Sequence, residues 1–322
     1  MSSRLREIAS SALGRFGIPG IADIHVLAPS AGGAGYSYWE QFSHSSSPAF
    51  HTDIETALGL MTTGRNDTLL VTPDAHPQAD NVAWNKNLTH LVGMCPPSLM
   101  NQRSRITQSA GIAELLTVSG YGNLFANLYF PYGTAATDIK LLNVTGERNS
   151  FINCHFLPSL ATALDDAGYI LADIACNEGY FENCVFGGDT VAWTNGDCVR
   201  LYGAADRSCR VNFRNCIFLM NADNAQVNFL STVAGMGAGV VTFENCKFIN
   251  IGTSLTYAID GAGLGNGQLF FDNQCTFVGC TDIVAVGQEA YVWFGGINMP
   301  INQVNTASVA LFNGLACHPD VS

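Results

Sequence analysis

Acid–base chemistry on a sugar needs two carboxyl groups flanking one bond, and this chain crowds acids into one stretch. Asp165 and Asp166 are adjacent, and Asp173, Glu178, Asp189, Asp197 and Asp206 follow within the next few dozen positions. Aspartate also collects in solvated turns, so the grouping alone assigns no catalytic residue. His51, His76, His90, His155 and His318 share no spacing that would make a proton relay or a metal set. The eleven cysteines include no Cys-x-x-Cys pair, and Cys275 and Cys280 lack a neighbouring histidine, so no metal site is expected. Gly-x-Ser-x-Gly, phosphate-loop and dinucleotide patterns are absent. The residues alone therefore assign no catalytic, cofactor-binding or metal-binding position.

What positions these groups is a repeat. Phe151-Ile-Asn153-Cys154-His155-Phe156 recurs as Phe181-Glu-Asn183-Cys184-Val185-Phe186, Phe213-Arg-Asn215-Cys216-Ile217-Phe218 and Phe243-Glu-Asn245-Cys246-Lys-Phe248. A fifth copy, Phe271-Asp-Asn273-Gln-Cys275-Thr-Phe277, carries one extra residue, and Phe125-Ala-Asn127-Leu128-Tyr129-Phe130 is a degenerate copy upstream. The cysteines are 30, 32, 30 and 29 residues apart. Leu128 in the cysteine slot shows that the slot takes an apolar group, not a reactive one.

Before each phrase stands a second strand-like stretch, such as Leu141-Leu-Asn-Val144 or Ile170-Leu-Ala-Asp-Ile174, with Gly/Asn punctuation and no helical periodicity. Short strands at this period predict an all-β, right-handed, single-stranded parallel β-helix, a solenoid whose coils bury apolar residues only against neighbours. Alternation puts Phe181, Cys184 and Phe186 inside, with Asn183 at a sharp corner needing left-handed backbone. An asparagine ladder is expected through Asn127, Asn153, Asn183, Asn215, Asn245 and Asn273. A column of reduced thiols, Cys154, Cys184, Cys216, Cys246 and Cys275, should run beside it between two phenylalanine stacks.

Outward positions stack too. One column reads Ala126, Ile152, Glu182, Arg214, Glu244, Asp272, with alternating charges at its centre. The other reads Tyr129, His155, Val185, Ile217, Lys247, Thr276, and its apolar part, Tyr129, His155, Val185 and Ile217, is the expected interface for another subunit.

Residues 1–50 read as a short helix (2–16) and an extended docking arm, 51–300 as the β-helix and 301–322 as a final strand or cap. Asp53-Ile-Glu-Thr-Ala57-Leu58 predicts a helix capping the first coil. Only 12% of residues are charged against 48% hydrophobic, so part of the outer surface is expected to be covered. A net charge of −12 argues against nucleic acid or an anionic membrane as partner. No apolar run is long enough to span a bilayer, and no cleaved leader is read at the N-terminus.

Asp53-Ile-Glu-Thr-Ala57, followed by Asp67-Thr-Leu-Leu-Val71-Thr-Pro73-Asp74, resembles the usual first-coil opening of the pectate-lyase-like right-handed β-helix superfamily. Within it the chain looks most like phage virion β-helix proteins. The Gly-Asp-Asp and Gly-His-Gly sequences of the superfamily's polygalacturonase branch are missing, since Asp165-Asp166 follows Leu164 and no Gly-His-Gly occurs. The resemblance therefore implies a non-enzymatic virion protein without cofactors, a homotrimer on the capsid exterior that binds the major capsid protein and cements the shell. The alternative is a tailspike or tail fibre that binds or cleaves host surface glycans, for which Trp84, Trp193, Trp293 and Tyr202 offer stacking faces.

Overall fold

The structure is a computed structural model describing residues 23–29, 50–108, 112–132, 140–157, 170–202, 209–222, 227–232, 239–253, 255–263, 267–285 and 292–295. The proposed helix at 2–16, nearly all of the arm, the pair Asp165-Asp166, Asp206, His318 and the final segment 301–322 lie outside these residues.

Strands dominate because β-branched and aromatic residues alternate with polar ones between tight corners. Among the described residues they form three sheets, one of eleven strands (sheet A) and two of eight (sheets B and C). A coil passes once through each sheet: Ser150–Ile152 in A, His155–Leu157 in B, Ile170–Ile174 in C, then Asn177–Glu182 back in A. Like strands of successive coils pair in parallel with their phrases in register, Phe151 opposite Phe181 and Phe213 opposite Phe243. The fold is thus the expected all-β, right-handed parallel β-helix, the hand that parallel crossover connections take.

The interior is two ring columns. Phe125, Phe151, Phe181, Phe213, Phe243, Phe271 and Phe294 stack with centroids 4.5–5.2 Å apart. Phe130, Phe156, Phe186, Phe218, Phe248 and Phe277 stack beside them at 4.4–5.2 Å. Edge contacts such as Phe213–Phe218, 5.7 Å at 63°, lock one column to the other.

The corner from A to B is built as its residue types require. Asn127, Asn153, Asn183, Asn215 and Asn245 have φ of 56°, 54°, 53°, 53° and 51°. The Asn153 amide donates to Asn127 Oδ1 at 2.8 Å, and Asn245 to Asn215 Oδ1 at 2.9 Å. Asn273 does not extend this column, because the extra Gln274 changes the turn. Asp272 there accepts the Asn245 N–H, and the Lys247 ammonium bonds Asn245 Oδ1 and the Gln274 carbonyl. Each thiol, from Cys154 to Cys275, donates to the carbonyl of the phenylalanine one coil earlier, at 3.3–3.5 Å. A second set of buried asparagines stands at the C-to-A corner. Thr89 N–H donates to Asn123 Oδ1 and Asn123 N–H to Asn149 Oδ1, both at 3.0 Å.

The N-terminal end is closed by the helix Ile54–Leu60, with Asp53 as its N-cap and Ile54, Ala57 and Leu58 buried. Within the stretch read as an arm, Ile24–Leu27 is a sheet A strand paired with Asp67–Val71. Asp67 is fully buried and ties the cap together: it accepts the N–H of Asp23 and of Thr62 and pairs with Arg65.

His90 sits on the outer face of sheet A, where Nδ1 accepts the Leu124 N–H and Nε2 donates to Asn66 Oδ1. Burial lowers its pKa to about 4, so the fold favours the neutral ring. Stability is then fully present above about pH 6.5 and falls as pH drops towards 4. The difference between 6.5 and 4 corresponds to about 3 kcal/mol for this one histidine. Urea titrations at pH 7 and pH 4 should show the loss, and His90→Gln should remove this part of the pH dependence.

Candidate functional site

The connections of the solenoid are unequal. Only Asn153 and Cys154 separate the sheet A strand ending at Ile152 from the sheet B strand starting at His155. Twelve residues, by contrast, lead from Leu157 to the sheet C strand at Ile170. Another eight lead from Leu201 back to sheet A at Arg210. The sheet C strands Ile170–Ile174 and Gly196–Leu201 are therefore each joined to the rest by one long connection, a common setting for a binding site on a rigid scaffold.

On the outer face of sheet C one register column runs Asn143, Asp173, Arg200, Ser231, Asp260 and another runs Lys140, Ile170, Asp197, Asn228. Arg200 grips Asp173 with both fork nitrogens, Nε to Oδ1 at 3.0 Å and Nη2 to Oδ2 at 2.5 Å. Lys140 Nζ reaches the same carboxylate at 2.8 Å and Glu114 at 3.5 Å. Asp173 is fully buried between these two cations. Glu114 is held by the Thr117 hydroxyl at 2.7 Å and the Asn143 amide at 3.1 Å. Asp197 accepts the Ser231 hydroxyl at 2.6 Å and the Asn228 amide at 3.2 Å. The Arg200 guanidinium also faces the Tyr202 ring at 6.0 Å.

Burial raises the Asp197 carboxyl above its ordinary range, against the hydrogen bonds of Ser231 and Asn228 and the charge of Arg200. The bond to Asp173 raises Arg200. For Lys140, burial pulls downward, but the hydrogen bond and charge of Asp173 outweigh it and the ammonium is raised. A face carrying a carboxyl whose burial favours the protonated form, beside Arg200 and Lys140, has components of acid–base work, with cations to receive developing negative charge.

Of the acids singled out by sequence, Asp173 and Asp197 share this face. Glu178 stands at the C-to-A corner, at φ 61°, bonded to Arg148. Asp189 lies near His155. Sequence reading missed Glu114, Lys140, Arg200, Asn228 and Ser231. The available signal was register, since Arg200 follows Asp173 by one coil.

The expected interface column is corrected. Tyr129, His155 and Val185 are buried, at 6%, 0% and 0% exposure, and Ile217 is half-buried. Over His155 the cover is a strap, residues 94–104, that runs over this face of sheet B and bonds Asn153 and His155. Two of the proposed stacking tryptophans, Trp84 and Trp193, are also fully buried. Trp293 is half-buried and stacks on Phe270 at 6.2 Å. Among the described residues no group of three or more His, Cys, Asp or Glu is placed to hold a metal ion, and no helix is long and apolar enough to cross a membrane.

No protein-family model and no curated protein sequence matches the chain. Solved structures do. The pectin methylesterase of Aspergillus niger aligns at 15% identity and TM-score 0.51, covering 78% of this chain and 83% of that one. Pectin methylesterase PemA of Erwinia chrysanthemi aligns at 13% identity and TM-score 0.51, over 75% and 79%. A mutant pectin methylesterase in complex with a hexasaccharide aligns at 11% identity and TM-score 0.53, over 94% and 98%. At such identities the likeness shows the fold. These neighbours are enzymes, which corrects the expectation of a non-enzymatic virion protein drawn from the resemblance and its missing motifs. The chain's architecture is that of solved right-handed β-helix enzymes.

Proposed function

We propose that this chain is a polysaccharide-acting β-helix, a tailspike-like component of a virus particle that binds surface glycan and cleaves or de-esterifies it. The carrying observation is the outer face of sheet C, where Asp173, Arg200, Lys140 and Asp197 meet between the long connections. The fold neighbours support the reading, since they are pectin methylesterases and one holds a hexasaccharide. Asp197 serves as the proton-transferring carboxyl. Arg200 and Lys140 hold Asp173 and stabilise negative charge developing on the sugar or its ester, and Ser231 and Asn228 orient Asp197.

Purified protein incubated with neutral, acidic, methyl-esterified and acetylated polysaccharides should release reducing ends, methanol or acetate from one of them. Asp197→Asn is expected to reduce turnover by roughly 100-fold or more while leaving the melting temperature nearly unchanged. Lack of any product, or a fully active Asp197→Asn, would sink the reading. Particle mass spectrometry tests the location, because a tail component is present in far fewer copies than a shell protein.

A further inference from the structure

The strap at 94–104 has a construction of its own. It leaves sheet A after the strand Thr89–Gly93 and enters sheet B at Arg105–Gln108. Between them it makes no strand, and instead of following its own coil it reaches across the next one. Asn101, at φ 55°, donates its backbone N–H to His155 Nδ1 at 3.2 Å, 54 positions along the chain. Gln102, fully buried, donates its amide to the Asn153 carbonyl at 3.0 Å. Cys95 bonds the Asn127 carbonyl at 3.5 Å, and Ser104 anchors the far end on the Val71 carbonyl at 2.9 Å. The side chains between these anchors, Pro96, Pro97, Ser98 and Leu99, are exposed, so little apolar burial holds the strap's middle.

His155 decides whether the Asn101 anchor exists. Its Nε2 lies 2.9 Å from the Gly187 carbonyl, which only accepts, so Nε2 carries the hydrogen. Nδ1 must then be the bare nitrogen that accepts from Asn101. Tyr129 stacks on the ring from the preceding coil, 4.9 Å away and 12° from parallel. A second proton has one place to go, Nδ1, where it would point at the Asn101 N–H. An attractive contact becomes two donors facing each other.

We propose that the strap is an acid-released latch: protonation of His155 expels Asn101 and lifts residues 96–102 from sheet B, baring the His155 ring and the Tyr129 ring stacked on it while the coils stay folded. The charged and titratable groups around the ring have been placed. Asp189 faces it from the sheet B strand of the next coil and favours the proton. The Tyr129 phenol covers it from the preceding coil, with Arg105 acting on that phenol. On the strap, Arg103 is exposed beside Gln102. Burial dominates over Asp189 and lowers the ring's pKa to about 4, so the latch is closed at neutral pH and opens in acid. The opened face is aromatic and cationic, unlike the closed one.

Hydrogen exchange of the full-length protein, corrected for intrinsic rates, reads the latch directly. Between pH 7 and pH 4 the peptide spanning 95–104 should lose protection at least tenfold while the strands at 210–218 and 240–248 keep theirs. In His155→Gln the strap's protection should no longer depend on pH over this range. In the unmodified protein, the imidazole titration of His155 followed by NMR should share its midpoint with strap opening. Strap protection that is constant with pH, an unchanged pH dependence in His155→Gln, or an opening midpoint that follows another histidine would each overturn the proposal.

Discussion

Phe213→Ala is expected to destabilise the protein by about 3–5 kcal/mol. The ring is fully buried and stacked on both sides, 4.9 Å from Phe181 and 4.9 Å from Phe243. It also meets Phe186 edge-on at 6.0 Å and Phe218 at 5.7 Å. Truncation leaves a void that the neighbours cannot fill, because each is held by its own coil at a fixed strand spacing. Phe294 offers an internal control: it is half-buried, stacks on Phe271 at 5.2 Å and meets Phe277 edge-on at 6.1 Å. Phe294→Ala should cost less, because part of that ring is already in solvent. Urea midpoints at constant m-value measure both, and equal losses would mean that the ring column does not carry the stability assigned to it.

Asp67→Ala should cost about 3 kcal/mol or more, concentrated at one end of the molecule. The carboxylate accepts the Asp23 N–H at 3.0 Å, the Thr62 N–H at 2.6 Å and the Arg65 guanidinium at 3.0 Å. Removing it strands donors in a buried setting, where each costs about 1–3 kcal/mol. Arg65 is half in solvent, so its share is smaller. Strand pairing joins each coil only to the coils beside it, and the strap at 94–104 reaches no further than Asn153 and His155, so the damage should stay local. Hydrogen exchange should speed up in 24–28 and 54–61 and remain unchanged beyond residue 180. Asp67→Asn keeps one acceptor and should fall between the two. A uniform loss of protection along the solenoid would contradict this account of the cap.

The inner half of each coil was legible in the sequence because repetition amplifies it. Phe, then Cys or Leu, then Phe at one register, coil after coil, can only be a stacked interior, and Asn between them can only be a corner. The cap helix was legible from Asp53 and the apolar positions after it. The outer faces were not. Whether His155 faces water depends on a strap whose Asn101 lies 54 positions earlier in the chain, and alternation along a strand carries no trace of a cover contributed from elsewhere. The sheet C cluster escaped for a related reason. Asp173 and Arg200 belong to strands whose phrases are less regular than the Phe-x-Asn-Cys-x-Phe corner, so the reading followed the louder register and left theirs unexamined. Asn123 and Asn149 were visible as turn residues, but their role as buried links between coils comes only from their bonds to backbone N–H groups.

The column of thiols has one more consequence. The ten described cysteines are all free and buried, and burial pushes the Cys209 and Cys280 thiols up to about 12, far from the reactive thiolate. Labelling therefore waits on local opening. Since Cys154, Cys184, Cys216, Cys246 and Cys275 mark five successive turns, the order in which an alkylating reagent finds them is a record of how the rod comes apart. Reaction at Cys275 before Cys154 would mean peeling from the C-terminal end, and simultaneous reaction would mean that the turns fail as one body. The molecule thus carries its own graduated scale, one mark per coil, on which fraying can be dated without adding a single probe.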